Sequence, residues 1–157
     1  MLSALTVLGD FWALSVLRSA VYGMRRFGEF ERELGVAPNV LANRLARLVE
    51  SGVLERVPYQ EGPPRYEYSL TEAGRELVPV ILALKGWGDR HLQPDGAWTE
   101  VRHRGCERPL RVVVRCPDCG TTPALDHTET VWLRDGAEAA ADGDERREIL
   151  RRPSSEI

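Results

Sequence analysis

The stretch from Val36 to Leu70 limits the fold more than any other part of the chain. It holds a helix, a stop and two short strands in one unbroken run. Leu41, Leu45 and Leu48 recur at i, i+4 and i+7, the apolar stripe of an amphipathic helix. At about 100° per residue, Asn39, Asn43 and Arg47 point the opposite way, with Val40 and Arg44 on the flank of that face. Pro38 suits the first helical position, where its missing amide costs nothing, and Gly52 suits the left-handed residue that ends a helix. An outward face of amides and guanidiniums is what reading base edges in a major groove requires. The same face also serves as ordinary solvated surface, so its neighbours must decide between the two.

Downstream, Val53, Leu54, Arg56 and Val57 begin a strand, and Tyr66, Glu67, Tyr68, Ser69 and Leu70 alternate like a second one. Gln60, Glu61, Gly62, Pro63 and Pro64 cannot continue a ladder and are expected to form the tip of a hairpin. Arg56 and Arg65 flank that tip, where they could grip phosphates beside the groove. Helix, helix and hairpin in this order make the layout of a winged helix.

The run RRFGEFERELGVAPNVLANRLARLVESGVLERVPYQEGPPRYEYSLTEAGREL resembles the HxlR family of bacterial winged-helix transcription regulators. GDFWALSVLRSAVYGMRRF upstream and LVPVILALKGWGDRHL downstream fit the same pattern, so the likeness runs from roughly Leu5 to Leu92. Its most specific pieces are RRF, VLANRL and PPRYEYSLTEAG. The resemblance implies an α+β winged helix-turn-helix domain whose long C-terminal helix pairs with its copy in a second subunit. A two-fold dimer of that kind sets two recognition helices about 34 Å apart and implies a palindromic operator. One departure is Ala37, where the family places a capping Ser or Thr; an Ala there typically costs a helix about 1 kcal/mol.

A chain of 157 residues with 43% hydrophobic content can bury one good core and a small appendage. Its net charge of −3 is not the profile of a protein that coats nucleic acid. Residues 1–92 carry eleven Arg or Lys and eleven Asp or Glu. Specific binding would therefore require Arg25, Arg26, Arg44, Arg47, Arg56 and Arg65 to share one face. No segment reaches the roughly 18 apolar residues of a membrane span, and Asp10 interrupts the apolar run that a signal peptide would need. The expected location is cytoplasmic, where three cysteines are better read as ligands or free thiols than as disulfides.

In chain order, Leu2 to Leu8 reads as a short helix. Asp10 caps the next, whose Trp12, Val16, Leu17 and Ala20 face the core, and Tyr22, Gly23 and Met24 break it. Arg26 to Leu34 is the first helix of the helix-turn-helix, with Phe27, Phe30 and Leu34 inward. Arg25 and Arg26 at its start suit phosphate contact or plain solvation. Thr71 caps a later helix with Glu72 in its first turn. There Leu77, Val80, Ile81, Leu84 and Trp87 form one stripe, the expected dimer interface, and Pro79 inside the stripe is expected to bend the helix. The stripe could instead pack on the chain's own core or on the C-terminal module.

Pro94 and Gly96 mark a linker, so the expected division is 1–92, a small β-rich zinc-ribbon-like module at 97–135, and a charged tail at 136–157. The module contains His103, Cys106, Cys116 and Cys119, spaced as H-x2-C and C-x2-C, which suits tetrahedral zinc. Leu110, Val112 and Val114 alternate between the two turns like a strand. His127 competes with His103 as the fourth ligand; nothing in the sequence excludes it, and the paired-knuckle spacing favours His103. Two readings compete with zinc: Cys116 and Cys119 as a redox pair, or a module that has lost its metal. Trp98, Val131, Trp132 and Leu133 are the expected small core of the module, or the lining of an effector pocket.

These readings converge on a homodimeric, sequence-specific regulator bound to double-stranded DNA, with a small-molecule effector as a further candidate partner. Asn39, Val40, Asn43 and Arg44 are its base-edge candidates; Arg26, Arg47, Arg56 and Arg65 are its phosphate candidates. A thiol oxidoreductase built on Cys116 and Cys119 lacks the βαβ context that such a motif needs. A winged helix that binds a protein or small molecule and no longer engages DNA is the other rival.

Overall fold

The computed structural model describes residues 2–59 and 65–128. The wing tip Gln60–Pro64, the expected core residues Val131, Trp132 and Leu133, and the charged tail lie outside the described residues. Backbone packing divides the chain into two units, Met1–Val112 and Val113–Ile157. That division falls inside the 97–135 stretch expected to act as one module.

The first unit is an α+β winged helix-turn-helix. Helix α1 (Leu2–Leu8) is followed by α2 (Phe11–Val21), which starts where the Asp10 carboxylate accepts the amides of Trp12 and Ala13, each at 3.0 Å. Helix α3 (Phe27–Leu34) begins one residue later than its pattern suggested, because Arg26 takes the extended cap position. There the Glu29 carboxylate accepts the amides of Arg25 and Arg26 at 2.8 and 3.0 Å. Those two hydrogen bonds hold the Glu29 carboxyl below the usual carboxylate range. Gly35 closes α3 in the left-handed conformation, φ 60°, and so makes the tight turn into α4 (Pro38–Glu50).

The stripe of α4 is buried as its spacing requires: Leu41, Leu45 and Leu48 are each exposed by 1% or less. They meet Val16 and Leu17 of α2, Phe30 of α3, Val36 of the turn, and Val53 and Leu54 beyond α4. Burying side chains of this size stabilises by about 1.5–3 kcal/mol each. Phe30 also packs edge-to-face on Tyr68, with ring centroids 6.3 Å apart.

Strands β1 (Leu54–Pro58) and β2 (Tyr66–Leu70) pair antiparallel, Leu54 opposite Leu70 and Pro58 opposite Tyr66. The free edge of β2 is covered by the chain before α3: the amide of Tyr68 donates to the carbonyl of Arg25 at 2.7 Å, and Arg26 bridges to Glu67. Thr71 then fastens the end of the wing to the turn after α4. Its hydroxyl donates to the Gly52 carbonyl at 2.5 Å and accepts the amide of Gly74 at 3.0 Å. Gly74 itself is pressed against the turn that leads into β1, since a Cβ there would stand 2.1 Å from the Val53 carbonyl oxygen.

Four expectations about the C-terminal part need correction. The pattern from Thr71 to Trp87 is not one helix bent at Pro79: α5 (Glu72–Glu76) ends at Leu77, and α6 (Val78–His91) starts with Pro79 in its first turn. A proline fits there because the first-turn amides lack intrahelical partners. The five-residue stripe also splits. Ile81 is 5% exposed and joins the core, and Leu77 packs against it, while Val80, Leu84 and Trp87 stay about half exposed. Trp98 is 86% exposed and is no core residue. Finally, residues 110–115 carry no strand among the described residues; the only pairing nearby is an isolated bridge between Arg102 and Pro109.

In the second unit the described residues form a turn at 117–119 and a short 3-10 helix, Leu125–His127.

Candidate nucleic-acid interface

Packing the leucine stripe inward forces the opposite side of α4 outward. Asn39 and Asn43 are exposed there, and Val40 is half-buried on the flank. No side chain caps the helix start at Ala37.

The two arginines of α4 are not free. Arg44 Nε donates to Asp10 Oδ1 at 3.0 Å, the same oxygen that caps α2, while its Nη1 donates to Asn43 Oδ1 at 2.7 Å. Arg47 Nη2 donates to the Thr6 carbonyl at 3.0 Å. Burial works against the Asp10 charge, but the Ala13 amide, the Arg44 guanidinium and the Trp12 amide outweigh it and hold the carboxyl below its usual value. Nothing in the sequence pairs positions 10 and 44, or 6 and 47, since the partners are far apart along the chain and meet only once α2 and α4 pack.

On the wing side, Arg26 donates to Glu67 at 2.9 Å and lies over the Tyr59 ring, 4.7 Å from its centroid. Arg26 and Arg65 line one groove with Phe27, Gly28, Tyr59, Tyr66 and Tyr68, a cavity of about 420 Å³. Arg56 lies outside that groove with its guanidinium 4.2 Å from the centre of the Tyr66 ring. Stacking of this kind holds a cation in place while leaving its N–H groups available. Tyr59, Tyr66 and Glu67 are partners of these arginines that the sequence does not announce: Tyr66 lies diagonal to Arg56, which the register sets opposite Tyr68, and Arg26 reaches the wing from outside the hairpin.

Of the expected metal ligands, the structure brings His103 Nδ1 to 3.4 Å from Cys106 Sγ in the first unit. In the second unit Cys116 and Cys119 share one turn, and Cys119 Sγ lies 3.0 Å from the Thr121 hydroxyl. Hydrogen bonding from Thr121 lowers the Cys119 thiol to about 7. His127 is exposed beside Asp126. All three cysteines are free thiols, and among the described residues no group of three or more His, Cys, Asp or Glu side chains stands together as a metal site. Among them, too, no helix is long and apolar enough to cross a membrane.

A helix presenting polar side chains beside a two-stranded, arginine-bearing wing defines a winged-helix DNA-binding domain. The HxlR-like helix-turn-helix family matches residues 7–96, and this chain belongs to it. An uncharacterized HTH-type transcriptional regulator of Mycobacterium tuberculosis is 44% identical over 118 residues, which cover 74% of this chain and 75% of that one. The regulator YdeP of Bacillus subtilis is 38% identical over 57% of this chain and 70% of its own length. Among solved structures, the candidate transcription factor PA1607 superposes with a TM-score of 0.74 at 40% identity, covering 81% of this chain and 89% of that one. The redox regulator HypR in its reduced form gives 0.54 at 35% identity, over 57% of this chain and 90% of its own. The fold and its relatives are those of transcription regulators rather than enzymes.

Proposed function

We propose that this regulator binds a palindromic operator as a homodimer, reading base edges with α4. The observation that carries the reading is the placement of Asn39 and Asn43 on the exposed side of α4, opposite the buried leucine stripe. An asparagine amide offers one donor and one acceptor, the pair an adenine edge matches in the major groove. Arg44 and Val40 flank them as further base-edge residues, and Arg26, Arg47, Arg56 and Arg65 contact phosphates. Arg44, Arg47 and Arg26 must then exchange Asp10, the Thr6 carbonyl and Glu67 for DNA, or donate from N–H groups those partners leave unused.

The dimer is carried by α6. Val80, Leu84 and Trp87 form an exposed stripe at i, i+4 and i+7, and Leu5, Phe11 and Leu92 add further exposed apolar surface. Phe11, Leu84 and Leu92 line one groove, so part of this surface is continuous. Contiguous apolar surface on a small domain marks an interaction face.

The test is selection of bound sequences from random duplex DNA at fixed salt, followed by titration of two variants. Asn43→Ala is expected to flatten sequence preference with little loss on random DNA. Arg65→Ala is expected to weaken binding to every sequence and to reduce the salt slope by about 1. Equal losses on operator and random DNA for both variants would contradict these roles.

A further inference from the structure

We propose that Asp10 is a positioning residue for base reading: through Arg44 it fixes which way the Asn43 amide faces. Asp10 touches no base itself, and its role rests on the reading of Asn43 as a base-edge residue.

A chain of hydrogen bonds runs from the start of α2 to the exposed side of α4. Asp10 Oδ1 accepts the amides of Trp12 and Ala13, each at 3.0 Å, so its place is set by the backbone of α2. Arg44 Nε donates to that same oxygen at 3.0 Å, and Arg44 Nη1 donates to Asn43 Oδ1 at 2.7 Å. A guanidinium is planar, with its N–H groups in a rigid fork, so docking Nε on a fixed carboxylate also sets the direction of Nη1. The Arg44 side chain is only 24% exposed, which limits the conformations open to it. Val16 and Leu17 of α2 share one core with Leu41 and Leu45 of α4, so the two ends of the chain of bonds are held together.

The last bond decides the orientation of the amide. Asparagine carries an acceptor at one corner and donors at the other. With Oδ1 on the guanidinium, turning the amide over would lose a charge-assisted hydrogen bond and set its amino group against Nη1, donor against donor. One order of donor and acceptor is therefore presented to the groove. Oδ1 keeps a second lone pair, so it can accept from an adenine amino group while still held by Arg44, and Nδ2 remains for the adenine ring nitrogen. Neither bond uses Arg44 Nη2. Arg44 thus keeps Asp10 when DNA arrives. The negative charge of Asp10 opposes DNA of every sequence, so its effects on affinity and on choice of base have opposite signs.

The full chain and its variants Asp10→Ser, Asp10→Gly, Asn43→Ala and Asp10→Ser with Asn43→Ala are titrated at one fixed salt. The probes are the selected operator, operators changed at single base pairs, and random duplex. Ser and Gly are both accepted helix caps, so each keeps the start of α2 while withdrawing the carboxylate from Arg44. Unchanged helical circular dichroism checks the fold, and if one of the two does not fold, the other decides. The base pair at which Asn43→Ala relaxes preference marks the position read. There each Asp10 variant is expected to lose preference by about three- to tenfold, the size of coupling within one hydrogen-bond network. Random DNA should be bound no more weakly than by the wild type, and in the Asn43→Ala background Asp10→Ser should change the preference no further. Preference kept in both Asp10 variants while Asn43→Ala relaxes it would overturn this role and leave the operator reading standing. An equal loss on operator and random DNA, the mark of a structural role alone, or a further loss in the double variant would overturn it as well. If Asn43→Ala relaxes no base pair, the operator reading and the role of Asp10 fall together.

Discussion

Asp10 does more than its neighbours in the sequence suggest. The residue is legible as a helix cap from its position alone, but its second partner, Arg44, is not. One carboxylate oxygen accepts two α2 amides and a guanidinium from α4, so it joins the start of one helix to the exposed side of another. Asp10→Ala removes the cap, worth about 1 kcal/mol, and a partly exposed ion pair worth at most about 1 kcal/mol more. A drop of roughly 1–2 kcal/mol in unfolding free energy is expected from urea titration. The pH dependence follows from the lowered folded-state pKa. Its contribution is fully present above the unfolded carboxyl value of about 3.9 and is lost as pH falls through the lower folded value. Asp10→Asn keeps a capping side chain without the charge. The stability gap between wild type and Asp10→Asn should therefore be constant near neutrality and shrink below about pH 4; a gap unchanged down to about pH 2 would contradict the account.

Among the elements, those with strong periodicity were readable in advance. Leu41, Leu45 and Leu48 predict a buried α4 stripe, and the alternation of Tyr66 to Leu70 predicts β2, because both patterns answer to burial on one side. The segment after the wing was harder. Apolar spacing runs through Leu77 without showing that the backbone turns there, and Pro79 reads equally as a bend inside a helix or as the first turn of a new one. Which stripe residues turn inward depends on where α2 lies, and the sequence does not hold that information locally. Gly74 went unread for the same reason: its lack of a side chain matters only because Val53 passes against it. Gly74→Ala must push α5 off the turn at Val53, and the cost expected from overpacking is about 1–3 kcal/mol in thermal or urea unfolding. Gly88→Ala, on the open side of α6 where a Cβ meets nothing within 4 Å, should be neutral or slightly stabilising.

For the molecule as a whole, the exposed apolar stripe on α6 sets the expected state in solution. Leu84, 52% exposed in the single chain, stands between Val80 and Trp87, so Leu84→Asp places a charge in the middle of the stripe. Light scattering at micromolar concentration is expected to shift from dimer to monomer mass, with unchanged helical content. A monomeric wild type would refute the interface. The exposed side of α4 could be read from the sequence, but the anchoring of its arginines could not, because it arises where separate helices meet. Those anchors bear on how the proposed dimer would fit an operator. Thr6 and Asp10, which hold Arg47 and Arg44, each lie one residue from an exposed apolar side chain, Leu5 and Phe11. Whatever seats on Leu5 and Phe11 would therefore press on the partners that hold Arg44 and Arg47. The distance between half-sites that two copies can span would then be adjusted at this N-terminal corner, by tilt, as well as along α6.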